Sequence, residues 1–191
     1  MTSMTKIFML VVLTGCSQIN YSYFTYASNF ISGNKIEIDK NYIDSMPYSF
    51  IKVSYGRANQ AVFVLSAIDN GVYKWIGSNF EEIHTFNGII IKTVGINPAI
   101  ELTFADDIPE NLFNDSIINF KLSIDEPKLI YNDISLVKDK SLESTLYFKR
   151  ISKSLGWKSK DKYVYKNNKI SYSEQKISPL KPKVKIEFFY K

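Results

Sequence analysis

His84 is the only histidine and Cys16 the only cysteine of the 191 residues, so metal and nucleophile chemistry have little to draw on. A zinc site built around one imidazole would have to be completed by carboxylates or water, and neither a metal nor a cofactor is expected. His84 falls in the strand-like stretch Glu81 to Phe86, on the face of Glu82 and Phe86 by alternation. No nucleophile motif accompanies it, so it reads as a surface or half-buried strand histidine rather than a catalytic base. Asp106-Asp107 invites a glycosidase reading. Adjacent carboxylates rarely converge on one bond at the roughly 5 to 10 Å separation that glycoside hydrolysis uses, and ahead of Pro109 they read as turn formers. There is no GxSxG nucleophile elbow and no glycine loop to cradle a phosphate, so no catalytic residue is assigned. The side chains that remain are contact-makers: Trp75, Trp157, Tyr163, Tyr165, Tyr172 and Arg57 suit a sugar ring or a protein partner. Trp75, Arg57, Tyr163, Tyr165 and Tyr172 are taken as the candidate binding surface, although most aromatics belong to the core and Trp75 could equally face it.

The cysteine has a different use. Lys6 is followed by the apolar run Ile7 to Leu13 and then by Leu13-Thr14-Gly15-Cys16, which resembles the bacterial lipobox. Residues 1–15 are read as a signal peptide, with translation starting at Met1 or Met4, and are not counted as structure. Seven apolar residues cover roughly 10 Å as a helix, against the roughly 20 residues needed to cross a bilayer. The expectation is cleavage before Cys16 and lipid on its thiol. A mature lipoprotein carries three acyl chains, palmitate among them, which at roughly 0.8 kcal/mol per buried CH₂ makes release negligible. Lipidation leaves no thiol for a disulfide, so the fold must rest on its core. Ser17 in place of an aspartate after the cysteine points to sorting to the outer membrane.

Around these residues the chain must build its supports. Ile19, Tyr23, Tyr26 and Phe30 recur at helical spacing, so a lipid-proximal helix ended by Gly33, followed by a linker, is expected over residues 16–40. Asp39 reads as the N-cap of a brief helical turn through Ile43, stopped at Met46-Pro47. Residues 41–191 then form one β-rich domain. Strands are expected at Ser49 to Tyr55, Ala61 to Leu65 (buried on both faces), Val72 to Ile76, Glu81 to Phe86 and Ile89 to Val94. Gly56-Arg57-Ala58-Asn59, Asp69-Asn70-Gly71 and Asn87-Gly88 turn the chain between them. Ile118, Phe120, Leu122 and Ile124 alternate with polar residues in the clearest half-buried strand, ended at Glu126-Pro127. Later strands are expected at Leu129 to Val137, Thr145 to Ile151, Lys162 to Lys166, Lys169 to Gln175 and Val184 to Tyr190, with a turn at Asn167-Asn168. About ten strands in sequence make an antiparallel meander curled into a barrel-like or two-layer sheet. The class is mainly β, with a short N-terminal helix.

A net charge of +5 is modest and its lysines are interleaved with acids and aromatics, which reads as a solvated surface. An exported protein rarely meets nucleic acid, so no such partner is expected, and anionic polysaccharide or lipid head groups are the polyanions left in range.

Tyr42-Ile43-Asp44-Ser45-Met46-Pro47-Tyr48-Ser49, Lys74-Trp75, and Asn87-Gly88-Ile89-Ile90-Ile91-Lys92-Thr93-Val94-Gly95 together resemble the group 4 capsule polysaccharide lipoproteins of the GfcB and YjbF type. Lys162-Tyr163-Val164-Tyr165, Ser173-Glu174-Gln175, Pro179 and Pro182 extend the likeness over roughly residues 40 to 191. Asn168 stands where the pattern has a turn glycine, and asparagine tolerates the same left-handed backbone. The resemblance implies an outer-membrane lipoprotein facing the periplasm, without enzymatic activity, acting with polysaccharide export and assembly proteins or on the glycan itself. The rival expectations are a periplasmic polysaccharide-modifying enzyme and a structural envelope lipoprotein.

Overall fold

A computed structural model describes residues 36–56, 59–97, 99–104, 116–125 and 128–191. The signal peptide, Cys16, Ser17, the expected helix from Ser17 to Ser32, Arg57 and Asp106-Asp107 lie outside the described residues.

Helix α1 (Lys40–Ser45) opens the described chain, with the Asp39 carboxylate accepting from the Tyr42 N–H at 2.7 Å as its N-cap. Met46, extended at ψ 120 ahead of Pro47, ends it. Twelve strands follow: β1 (Phe50–Tyr55), β2 (Asn59–Asp69), β3 (Val72–Ile76), β4 (Glu82–Phe86), β5 (Ile89–Val94), β6 (Ile100–Phe104), β7 (Ile117–Ile124), β8 (Leu129–Leu142), β9 (Thr145–Ser152), β10 (Trp157–Lys166), β11 (Lys169–Gln175) and β12 (Val184–Phe189). Each pairs antiparallel with the next in the chain, and β12 closes on β1 through pairs from Phe50↔Phe189 to Tyr55↔Val184. The result is a closed 12-stranded meander barrel with no free edge.

Its tight turns follow from local chemistry. Asn70-Gly71, Asn87-Gly88 and Asn167-Asn168 all have positive φ, as two-residue hairpins that match strand twist require. Gly88 is indispensable for a second reason: a Cβ there would lie 2.7 Å from Ile170 Cγ1, because the β4–β5 hairpin packs onto β11.

Inner positions carry the core, including Ile51, Phe63, Trp75, Ile83, Leu122, Leu136, Phe148 and Ile186. Outer positions carry Lys52, Lys121, Lys149, Lys160 and Lys185. That is the reverse of a lipid-embedded barrel, in which a lysine facing the bilayer midplane costs roughly 2–4 kcal/mol. Eight strands already leave an interior that side chains fill, so twelve must be pinched to stay packed. Gln175 on β11 reaches across: its amide donates to Gly88 O at 2.8 Å and its carbonyl accepts from Ile90 N at 3.1 Å.

Four strand readings change, the first being β8, which runs on to Leu142, five residues past its expected end. β2 is not buried on both faces; only Phe63 is fully inside, because its outer face meets water and its last residues, paired with β3, run past the end of β1. β6 was not foreseen, although Ile100, Leu102 and Phe104 alternate with Glu101 and Thr103. β10 starts at Trp157, five residues before the expected start, because its inner positions Ser159 and Asp161 are polar and hide the alternation.

Candidate functional site

Strands β9 and β10 bring the strongest cluster of polar groups into the barrel. Arg150 Nε donates to Asp161 Oδ2 at 2.9 Å, and Nη2 lies 2.8 Å from the same oxygen, with both side chains fully buried. Asp161 Oδ1 accepts from the Lys176 N–H at 3.1 Å, so the carboxylate is held on both oxygens. The Tyr163 hydroxyl lies beside Arg150; burial first, and then the Asp161 charge, push its ionisation well above the ordinary range. Burial, the largest single influence, would favour a neutral guanidinium, and Asp161 and Tyr163 together outweigh it and keep Arg150 charged. A neutral phenol and a guanidinium held by one carboxylate through Nε and Nη2, with Nη1 left without a hydrogen-bond partner, are sealed from solvent and read as a structural brace.

Trp75 and Tyr163 therefore cannot serve as contact surface, since neither is exposed. Trp75 donates its indole N–H to Thr85 at 2.9 Å and packs against Tyr73 and Phe188. Inner-face position on β3 and β10 decides this, and the two residue names alone carried no such information. Trp157 is inside as well, at 8% exposure. Tyr165 and Tyr172 are half-buried. The Tyr165 hydroxyl reaches Asn87 O at 3.4 Å and belongs to the packing of the hairpin end. Tyr172 alone of these aromatics is set in a charged outer wall, with its hydroxyl donating to Glu174 Oε2 at 3.2 Å and Lys162 Nζ 5.9 Å above its ring. Burial first, and Glu174 next, push that phenol up to about 12.

His84 sits on the outer face of β4, half-buried, with Nε2 2.9 Å from Glu82 Oε2. The same carboxylate takes Lys74 at 2.8 Å, and these two hydrogen bonds, Lys74 first, hold it below the usual range. Phe86 is buried against Phe104 and so does not share the exposed face with His84. Among the described residues no three His, Cys, Asp or Glu side chains gather to hold a metal.

What remains reachable on β8 to β11 is a lysine ladder that sequence reading did not single out. Lys158, Lys160 and Lys162 alternate on the outer face of β10, Lys160 stands directly opposite Lys149, and Lys162 directly opposite Tyr147. Lys149 is ion-paired with Asp139 on β8. The alternation of lysines on one strand was legible; the Lys149–Lys160 juxtaposition needed the register.

The family described as "Group 4 capsule polysaccharide lipoprotein gfcB, YjbF" matches residues 23–116. Over that span, just under half of its length, the chain is similar to the YjbF family. The YjbF match covers α1 and β1 to β6, including the Asn87-Gly88 hairpin that carried the resemblance. Beyond it the likeness is one of fold. The crystal structure of the hypothetical lipoprotein YmcC from Escherichia coli (K12) superposes with a TM-score of 0.65 at 14% identity, covering 92% of this chain and 96% of that one. No curated protein matches the chain. The family's description as a capsule polysaccharide lipoprotein is consistent with a capsule-related role.

Proposed function

We propose that the protein is a non-enzymatic accessory lipoprotein of capsule or exopolysaccharide production and export. It is held in the outer membrane by lipid on Cys16, faces the periplasm, and works by binding a partner protein or the glycan through the outer wall of its barrel. The observation that carries this reading is the YjbF family match over residues 23–116, whose description names capsule polysaccharide. Two features of the molecule agree with it. The polar cluster around Arg150 is sealed from any substrate. The one imidazole is engaged by a carboxylate already shared with Lys74.

Gene deletion with surface and periplasmic polysaccharide measured separately tests the role. Loss of surface polysaccharide is expected, restored by the wild type and by His84→Gln, whereas Cys16→Ala should give an unacylated precursor. Unchanged polysaccharide on deletion would remove the capsule role. A hundredfold loss with His84→Gln, at about normal protein abundance, would instead place chemistry at His84 and make the protein an enzyme.

A further inference from the structure

We propose that the outer wall of β8 to β11 is a docking face for an acidic polysaccharide, carried by Lys149, Lys158, Lys160 and Lys162 with the rings of Tyr147 and Tyr172. It rests on the accessory role above and names the ligand class for it.

The charge arrangement is the first support. Lys158, Lys160 and Lys162 repeat at every second residue of β10, roughly 7 Å apart along the strand. Like charges directly opposite one another weaken a sheet, yet Lys160 is paired with Lys149. Asp139, bonded to Lys149, is the carboxylate at that position; Lys149 first, then the fields of Lys160 and Lys140, keep it ionised. The next row runs in register as Lys140, Tyr147, Lys162, Glu174 and Lys185. Its one acid, Glu174, is already taken by Lys183 at 2.7 Å. Cations are therefore in surplus along the strand and across it. Two rings hold ammonium groups in place: Lys140 lies 4.8 Å over Tyr147 and Lys162 5.9 Å over Tyr172.

An array repeating in two directions matches a chain whose negative charges also repeat, rather than one small anion. Protein interfaces anchor on large apolar side chains, whereas the exposed ones nearby, Leu142, Leu155 and Ile130, sit towards the ends of these strands and not among the lysines. Closure of the barrel removes strand addition as a binding mode.

The full chain in detergent, titrated with alginate at about 50 mM salt, should bind, and binding should fade at about 500 mM as screening sets in. Neutral dextran should not bind. The triple variant Lys149→Gln, Lys158→Gln, Lys160→Gln should lose at least about tenfold in alginate affinity. A triple of outer lysines elsewhere, Lys52→Gln, Lys92→Gln, Lys121→Gln, should stay within about twofold. Single Lys160→Gln, at an exposed site, should lose affinity in the same direction and serves if the triple is unstable. Equal losses in both triples, or equal binding of dextran, overturn the proposal. So does a preference for phosphatidylglycerol over phosphatidylcholine vesicles that the first triple abolishes while alginate does not bind. If gene deletion removes surface polysaccharide but the first triple restores it and binds alginate as the wild type does, this face fails and the accessory role stands. If deletion changes nothing, the role fails and the alginate titration still judges the face.

Discussion

Lys149 and Arg150 are neighbours on β9, each paired with an aspartate, and they lie on opposite sides of one wall. Arg150 and Asp161 are wholly inside, while Lys149 keeps about half its side chain in water, 48%, beside Asp139. Water screens the outer pair and side-chain entropy opposes it, so it contributes ~0–1 kcal/mol. The inner pair gave up hydration for mutual attraction, and removing one partner strands the other charge. One strand thus uses the same chemistry twice, as a brace inside and as an available charge outside.

The largest expected effect is at the brace. Arg150→Ala should cost about 3–5 kcal/mol, a fall of about 6–20 °C in melting temperature for a domain of this size. The double variant Arg150→Met, Asp161→Leu should return to within about 1 kcal/mol of the wild type or exceed it. A double variant as unstable as the single would mean that the pair specifies the packing rather than merely tolerating burial. Next is the hairpin that enters the inner face: Gly88→Ala adds left-handed strain to the contact with Ile170, and should lose about 2–4 kcal/mol in chemical denaturation.

Asp133 is a smaller and pH-dependent case on the outer side. Its carboxylate accepts from the Ser154 N–H at 2.7 Å and the Ser154 and Ser152 hydroxyls at 2.8 Å each, clipping the β9–β10 turn. The Ser154 N–H first, then the Ser154 hydroxyl, pull it down to about 2. The folded value is below the unfolded one near about 3.9, so the stabilisation is present above about pH 4 and is lost as pH falls towards about 2. The melting gap between wild type and Asp133→Asn should be widest near neutrality and close over that interval. A gap that does not change with pH would mean that Asp133 acts through packing alone. Smallest of all, Lys149→Gln should shift melting by no more than about 4 °C in either direction, since it removes an exposed pair and a like-charge contact together.

How legible all this was depended on which face carried the apolar residues. β7, with Ile118, Phe120, Leu122 and Ile124 inward, was readable because its inner positions are uniformly hydrophobic. The first half of β10 was not, because Ser159 and Asp161 occupy inner positions that only Arg150, from the neighbouring strand, makes tolerable. Tyr172 lies half-buried in the outer wall, whereas Trp75 and Tyr163 are inside, since an aromatic reads the same in sequence on either face.

By itself the sequence determined the turns, the Asp39 cap, most of the strands and the family likeness, because each rests on local pattern or on local backbone preference. Closure of β12 on β1, the reach of Gln175 to Gly88, the burial of Arg150 with Asp161 and the meeting of Lys149 with Lys160 were decided by the tertiary structure. They depend on register and on which strands become neighbours, and a one-residue shift in register would turn every such side chain to the other face.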